Sequence, residues 1–255
     1  MEATDAVLGD PDAVRQFVLA AAQRIGLRIE RSARQKEVYR VAVSPQATAT
    51  VPDAVRFSLP ARKDGQWLIS FVSPTPEGAE YLGRNHRFAA ALARFLIEDA
   101  LTKQGEATVS RCGVIRTKTV KELTAVLLLR VRYLIEQPQK APLLSEEIVL
   151  TGYTGDARQP HFLEDGAALQ LLAEAKPEAN VPMAEKKELV SAALESWQSL
   201  GGEIHPRLER RAKELEESHK RIRRAVSLRV RELAVKPQLP PDLLGLLVLQ
   251  PIVSA

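Results

Sequence analysis

The sequence predicts an α+β protein with antiparallel sheets and a long C-terminal helical hairpin packed on them. Two patterns indicate this class. Apolar residues alternate over residues 125–135, as in a half-buried strand, whereas apolar positions recur every three or four residues over residues 208–226, as in a helix. The composition agrees, because 45% of the residues are apolar and 27% are charged, which excludes wholesale disorder.

The length allows two folding regions. A chain of 255 residues can form one large domain or two small ones. We predict a boundary after residue 80. Residues 1–80 are expected to form an N-terminal helix and a small β-sheet, and residues 81–255 a larger antiparallel sheet with long C-terminal helices and a terminal strand.

The residue pattern of the first region predicts one helix and three short strands. Apolar residues recur at helical spacing over residues 11–25, where Asp10 can cap the first turn and Pro11 suits its first position. Short apolar or alternating runs follow, with a turn signal at residues 63–66, and they predict a small antiparallel sheet. The strands are expected at residues 38–43, 55–59 and 67–72.

The second region begins with a helix and continues as a sheet. The helix is predicted over residues 86–101, with Asn85 as its cap and His86 ordering the turn before it. The longest strand has apolar residues at every odd position from 125 to 135, and its other face turns polar toward its end. The strands are expected at residues 109–116, 124–135 and 143–151.

The last part of the chain is predicted to be mainly helical. A pair of glycines interrupts the pattern after residue 200, and a proline at position 206 suits the start of a further helix. Three prolines near residue 240 stop that helix. The apolar run at residues 243–248 is too short for a typical helix, so it predicts a buried strand returning to the sheet. The helices are expected at residues 163–175, at residues 184–200 and from residue 206 onward.

The last long helix carries a coiled-coil-like apolar seam. We expect this seam to be buried against residues 184–200 or against the sheet. The alternative is that it binds a partner or a second copy of the chain. The seam residues, spaced by four and three in turn, are Leu208, Ala212, Leu215, His219, Ile222 and Val226.

A basic segment near the end of this helix is the strongest charge feature. Between Lys220 and Arg231 the sequence has six basic residues and no acidic one, which would suit a phosphate backbone through counterion release. The alternative is a solvated helix end whose positive charge complements the helix dipole. No aromatic residues interleave, so stacking on single strands is not indicated. The residues predicted to bind nucleic acid are Lys220, Arg223, Arg224 and Arg231.

The residues indicate no catalytic constellation. The sequence lacks a phosphate-binding loop, a Gly-x-Ser-x-Gly nucleophile elbow and a His-Glu-x-x-His zinc motif. Its single cysteine, Cys112, excludes an intrachain disulfide and is expected to be a small buried residue. Glu146 and Glu147 are adjacent on a strand, so they should point to opposite faces. We therefore predict that the chain is not an enzyme and has neither a cofactor nor a metal site.

The chain is predicted to be cytoplasmic, with no membrane partner. It has no apolar run of the roughly 18 residues that a spanning helix needs. Residues 1–10 are acidic and lack the basic region that begins a signal peptide. The net charge of +4 permits contact with nucleic acid without requiring it.

Six segments form an ordered set. They are residues 82–86 (LGRNH), 111–116 (RCGVIR), 127–132 (LLLRVR), 143–147 (LLSEE), 218–223 (SHKRIR) and 240–245 (PPDLLG). Together they resemble the C-terminal region of bacterial Swi/Snf-type helicase-like ATPases, including members that recycle RNA polymerase. The order of elements is also similar, with a His-led helix before long strands, then a long helix and a terminal strand.

The resemblance implies a family of ATPases that translocate on double-stranded DNA and remodel bound proteins, some in transcription and some in anti-phage defence. The motor lobes and their ATP-binding residues are not in this sequence. The resemblance therefore implies a non-catalytic accessory domain, whose partners are the Swi/Snf-type motor lobes and either double-stranded DNA or RNA polymerase. The alternative is a stand-alone interaction protein that self-associates or binds a partner through its long helix.

Overall fold

The computed structural model describes residues 10–103, 107–137, 140–155, 160–164, 166–225 and 233–252. These residues form two mostly antiparallel sheets with helices, including a long C-terminal helix, which confirms the predicted α+β class. The chain divides into two compact units, Met1–Ser110 and Arg111–Ala255. The division lies after Ser110 rather than after residue 80, because the helix that follows residue 86 packs in the core of the first unit.

The first unit contains a four-stranded sheet with the strand order β1–β2–β3–β4. The first three strands are antiparallel, and β4 is parallel to β3. The side chains of Trp67, Ile69 and Phe88 fill its core. Its elements are α1 (Pro11–Arg24), β1 (Ile29–Arg31), β2 (Tyr39–Ala42), α2 (Asp53–Arg56), β3 (Gln66–Ser70), β4 (Glu80–Tyr81) and α3 (Arg87–Thr102).

One predicted strand of this unit is wrong. The α1 cap is confirmed, because the Asp10 carboxylate accepts a hydrogen bond from the Asp12 amide at 3.0 Å. Residues 55–59, however, belong to the short helix α2 and the turn after it. Val55 is fully buried while Phe57 is 79% exposed, so their shared apolar character does not mark one strand face. A short apolar run cannot be assigned to helix or strand by periodicity alone.

His86 orders the start of α3, as predicted, but it takes the capping position expected of Asn85. Its Nδ1 accepts a hydrogen bond from the Phe88 amide at 3.2 Å. Its Nε2 lies 3.1 Å from the Glu80 carboxylate. The imidazole therefore ties α3 to β4.

The second unit is a five-stranded sheet with helices on both faces and the strand order β5–β9–β6–β7–β8. Strand β9 is parallel to β5, and the other neighbours are antiparallel. Helices α5 and α6 cover the inner face, and α4 covers part of the outer face. The elements are β5 (Cys112–Thr117), β6 (Thr124–Gln137), β7 (Lys140–Thr154), β8 (His161–Phe162), α4 (Ala167–Glu174), α5 (Met183–Ser199), α6 (Gly201–Ala225) and β9 (Ala234–Pro251).

The two predicted faces of β6 are confirmed. The odd positions from 125 to 135 all lie in the main core beneath α5 and α6, with Leu127, Leu129 and Tyr133 fully buried. On the outer face Val126 is buried near α4, whereas Arg130 and Arg132 are only half-buried. The polar half of the strand therefore coincides with the part of the sheet that α4 leaves open.

The terminal strand is also confirmed, but it is longer than predicted. It lies between β5 and β6, and β5 pairs with it only from Leu246 onward. The three prolines that were expected to precede the strand lie within its first half, which pairs with β6 on one side. Proline is tolerated in a strand where its missing N–H would face an open edge.

Helix α6 begins at Gly201 rather than at Pro206 and packs through only half of its seam. Leu208 and Ala212 are buried in the main core, and Leu215 is partly buried against it. Ile222 is 61% exposed, so the expectation of a fully buried seam is wrong there. Val226 lies outside the described residues. Among the described helices, none combines the length and the apolar content needed to cross a membrane.

Candidate functional site

Four charged side chains form a ladder across the open part of the outer face. The Arg130 guanidinium donates to Asp242 Oδ2 at 2.9 and 2.7 Å, and Arg132 donates to the same oxygen at 2.7 Å. Arg132 also donates to Glu146 at 3.2 Å. The hydrogen bond from Arg130 lowers the pKa of Asp242, and the charge of Arg132 lowers it further. The ladder joins β9, β6 and β7, so these charges hold neighbouring strands together.

Arg111 and Cys112 serve a similar structural role at the start of β5. The Arg111 guanidinium donates to the carbonyl oxygens of Leu244 at 2.7 Å and Leu243 at 2.5 Å. Burial raises the pKa of the Cys112 thiol, although Arg111 acts in the opposite direction. Its side chain packs against the main core, but it is partly buried and not fully buried as the sequence predicted. The raised pKa disfavours the reactive thiolate.

Glu146 and Glu147 lie on opposite faces of β7, as predicted. Glu146 joins the outer ladder, whereas Glu147 accepts hydrogen bonds at 3.1 and 2.8 Å from Arg211 of α6. Arg211 also donates to Glu214 at 3.0 Å. The hydrogen bonds from the guanidinium to Glu147 and then to Glu214 raise the pKa of Arg211. This inner ion pair ties α6 to the outermost long strand of the sheet.

Among the described residues, nothing pairs with the outer edge of strand β7 along most of its length. Strand β8 pairs only with Tyr153 and Thr154, and the Gly152 carbonyl accepts a hydrogen bond from the Leu163 amide at 2.9 Å. The Gly152 carbonyl thus points away from β6. Along an antiparallel strand, the N–H and C=O groups of successive residues point alternately toward one neighbouring strand and toward the other. The register between β7 and β6 is regular over this stretch, so the alternation continues without interruption. The even-numbered residues before Gly152 therefore also turn their N–H and C=O groups away from β6. These residues are Leu144, Glu146, Ile148 and Leu150.

A groove of about 420 Å³ lies between this free edge and α6, and we call it the edge groove. Its strand wall is the stretch of β7 from residue 147 to residue 151. Apolar side chains and arginines share the remaining wall. They are Leu129, Ile204, Leu208, Arg207, Arg210 and Arg211, with Glu214 beside them. The edge groove therefore combines unpaired strand backbone with side chains able to recognise a ligand.

Two arginines leave the edge groove with an excess of positive charge. Arg211 forms ion pairs with Glu147 and Glu214, whose two negative charges exceed its own positive charge by one. With Arg207 and Arg210 the charged residues that line the groove therefore sum to +1. Arg207 lies 4.8 Å from the Phe162 ring centroid and donates to the Leu163 carbonyl at 3.2 Å, which fixes its position. Neither Arg207 nor the exposed Arg210 forms an ion pair within the described part of the chain. Sequence reasoning missed this site.

The structure places only one side chain of the predicted nucleic-acid site. Lys220 forms an ion pair with Glu216, one turn earlier on α6, and this contact lowers the pKa of Glu216. Arg223 and Arg224 lie on the last turn of α6, and their side chains are outside the described part of the structure. Arg231 lies outside the described residues. The Lys220 charge is thus already engaged within the helix.

Metal-ligating side chains do not gather in the described ranges, where no group of three or more His, Cys, Asp or Glu residues is placed to hold a metal ion. The candidate site is therefore built from the edge groove, the outer ladder and the basic end of α6. All three lie in the second unit.

Comparison with known proteins places a family match on this same unit. Residues 99–255, more than half of the chain, match the family model described as a domain of unknown function, DUF8741. The match begins within α3 and contains the whole second unit. No curated protein matches the chain.

Proposed function

The chain belongs to the DUF8741 family, and from that premise we propose that it is a non-catalytic accessory domain of a Swi/Snf-type DNA-dependent ATPase. In this role it engages the motor lobes together with DNA or a protein such as RNA polymerase. A cytoplasmic setting, in transcription or in anti-phage defence, belongs to the same proposal.

The way in which the resembling segments contact one another carries this proposal. Five of the six segments lie in the second unit, and four of them are neighbouring strands of its sheet. Arg130 and Arg132 of one segment bind Asp242 of another, and Arg132 also binds Glu146 of a third. Four of the six segments therefore form one folded sheet. Arg130, Arg132, Asp242 and Glu146 hold neighbouring strands of that sheet together. This structural use of the charges supports an accessory role.

The buried half of the α6 seam argues against self-association through this helix. Leu208 and Ala212 are 4% and 2% exposed within the core of their own unit. A second copy would therefore meet only the end of the seam, around Ile222. The edge groove instead offers arginines together with apolar side chains and a strand edge, which favours a different partner.

Purified chain is expected to neither bind nor hydrolyse ATP. The sequence has no phosphate-binding loop to hold the β- and γ-phosphates. Turnover should be measured with and without duplex DNA, and then again with Swi/Snf-type motor lobes present. We expect turnover only with the motor lobes and an altered rate when the chain is added. DNA-stimulated hydrolysis by the chain alone would overturn the accessory role.

Duplex DNA, if bound, is expected to contact the end of α6. Changing both Arg223 and Arg224 to alanine should make the dependence of log K on log salt shallower by up to about two units, since each phosphate contact contributes about one. The measurement is a titration of a random duplex at several salt concentrations. The matched control changes Arg28 and Arg34, two exposed arginines of the first unit, and removes the same charge. An equal change of slope in both variants would contradict contact at α6.

A further inference from the structure

The geometry points to the free edge of β7 as the binding site for an extended acidic segment of a partner protein, which pairs with β7 as an added strand. This inference deepens the proposed function, because it names the chemistry of the protein partner. It rests on that proposal only for the identity of the partner. The binding mode follows from the backbone, the charges and the exposed side chains of the second unit.

The backbone of β7 supplies the hydrogen bonds. Leu144, Glu146, Ile148 and Leu150 each turn one N–H and one C=O toward the open edge, as the alternation from Gly152 requires. Such a row of unpaired groups is a template for strand addition. Strand β8 occupies the edge from Tyr153 onward, so an added strand has room opposite the residues before it. This stretch accommodates a segment of about seven residues.

The side chains around the edge select the sequence of the segment. Successive residues of a strand point to opposite faces of the sheet. On the inner face, alternate side chains of an added strand would enter the edge groove. There Glu147 and Glu214 are held by Arg211, whereas Arg207 and Arg210 form no ion pair with another described residue. On the outer face the others would lie beside Leu144 and Ile148, which are 56% and 61% exposed. The segment that fits therefore alternates acidic and apolar residues.

A second copy of the chain fits this edge less well. The acidic side chain that its β7 would offer to the groove is Glu147, which its own Arg211 already binds. It would also bring a second set of α6 arginines toward Arg207 and Arg210. A groove of about 420 Å³ holds several side chains but not another helix. A nucleic acid lacks the alternating N–H and C=O groups that would pair with the edge.

The probe is a fluorescein-labelled peptide of about eight residues that alternates valine and aspartate. The fluorescence anisotropy of the peptide is measured while the full chain is titrated into it, without ATP or DNA. We expect saturable binding. A peptide alternating valine and lysine keeps the apolar alternation and has the opposite charge. Lysine is no poorer a strand former than aspartate, so weaker binding of this peptide reports on charge, and we expect it to be at least about ten-fold weaker.

Two variants locate the binding. Ile148→Pro removes an N–H that faces the open edge, so the sheet keeps its own hydrogen bonds while the proline ring obstructs an added strand. Arg210→Glu reverses a charge on the exposed side of α6, where the residue has no ion pair among the described residues. Each should weaken binding of the valine–aspartate peptide at least about ten-fold. Ile148→Val keeps the N–H and should change the affinity less than about two-fold.

The outcomes are distinct. Circular dichroism shows whether each variant is folded, and Arg210→Glu decides the matter if Ile148→Pro does not fold. No saturable binding by the wild type, or equal affinity of the folded variants, would overturn the inference. A wild-type dimer that Ile148→Pro dissociates in sedimentation would also overturn it, because a second copy would then occupy the edge. Each of these failures leaves the ATP and DNA experiments of the proposed function standing.

Discussion

Replacing Leu208 by aspartate is expected to unfold the second unit. Leu208 is 4% exposed and lies in the core that joins α6 to the inner face of the sheet. The substitution removes a buried apolar side chain and leaves a charge without a partner there. Each effect costs about 2 kcal/mol or more, and the sum of about 4 kcal/mol or more approaches the whole stability of a typical domain.

The measurement is urea unfolding followed by circular dichroism, with hydrogen exchange at β6 to report on the second unit. Ile222→Asp is the matched control, because it places the same charge on the same helix at a position that is 61% exposed. We expect this control to stay within about 0.5 kcal/mol of the wild type, as for most surface substitutions. Equal destabilisation by the two variants would mean that the first half of the seam does not pack on the sheet.

Replacing Gly152 by alanine is expected to destabilise the second unit through a backbone clash. A Cβ at this position would lie 2.6 Å from the carbonyl oxygen of Ala125 and 2.9 Å from the Leu163 side chain. The backbone cannot easily move away, because Gly152 lies opposite Val126 of β6 on one side. On the other side its carbonyl accepts a hydrogen bond from the Leu163 amide. We expect a loss of about 1–3 kcal/mol, the range for overpacked cores.

Gly202→Ala is the control for that substitution. Gly202 lies in the first turn of α6, and a Cβ there would meet nothing within 4 Å. Because alanine is the better helix former, this variant should be neutral or gain up to about 1 kcal/mol. The two variants are compared by thermal unfolding under the same conditions. A Gly152→Ala protein that melts like the wild type would show that β7 does not approach β6 as closely as described.

The elements that the sequence predicted correctly depend on neighbours a few residues apart. The alternation from residue 125 to residue 135 indicated which face of β6 is buried, and Asp10 marked the start of α1. Adjacency on a strand was enough to place Glu146 and Glu147 on opposite faces. Residues 55–59 show the limit of this reasoning, since so short a run fits a strand and a helix equally well.

The sequence shows the separate segments that build the candidate site, but it does not show that they come together. The arginines of α6 and the mixed apolar and acidic stretch at the start of β7 are visible in the sequence. Nothing local shows that these elements lie side by side, or that β8 covers only the last residues of β7. The helix end was predicted from charge alone, and Lys220 there is engaged by Glu216.

The sequence by itself determined the α+β class, most helices and strands and the inward face of the long strand, because backbone preferences and side-chain alternation act over a few residues. Only the tertiary structure decided that β9 inserts between β5 and β6, which leaves β7 as the outermost long strand, with only the two-residue strand β8 beyond it. That choice depends on contacts such as the one between Arg130 and Asp242, which are 112 residues apart in the chain. Burial and charge pairing select such partners once the chain is compact, and no local pattern records the selection.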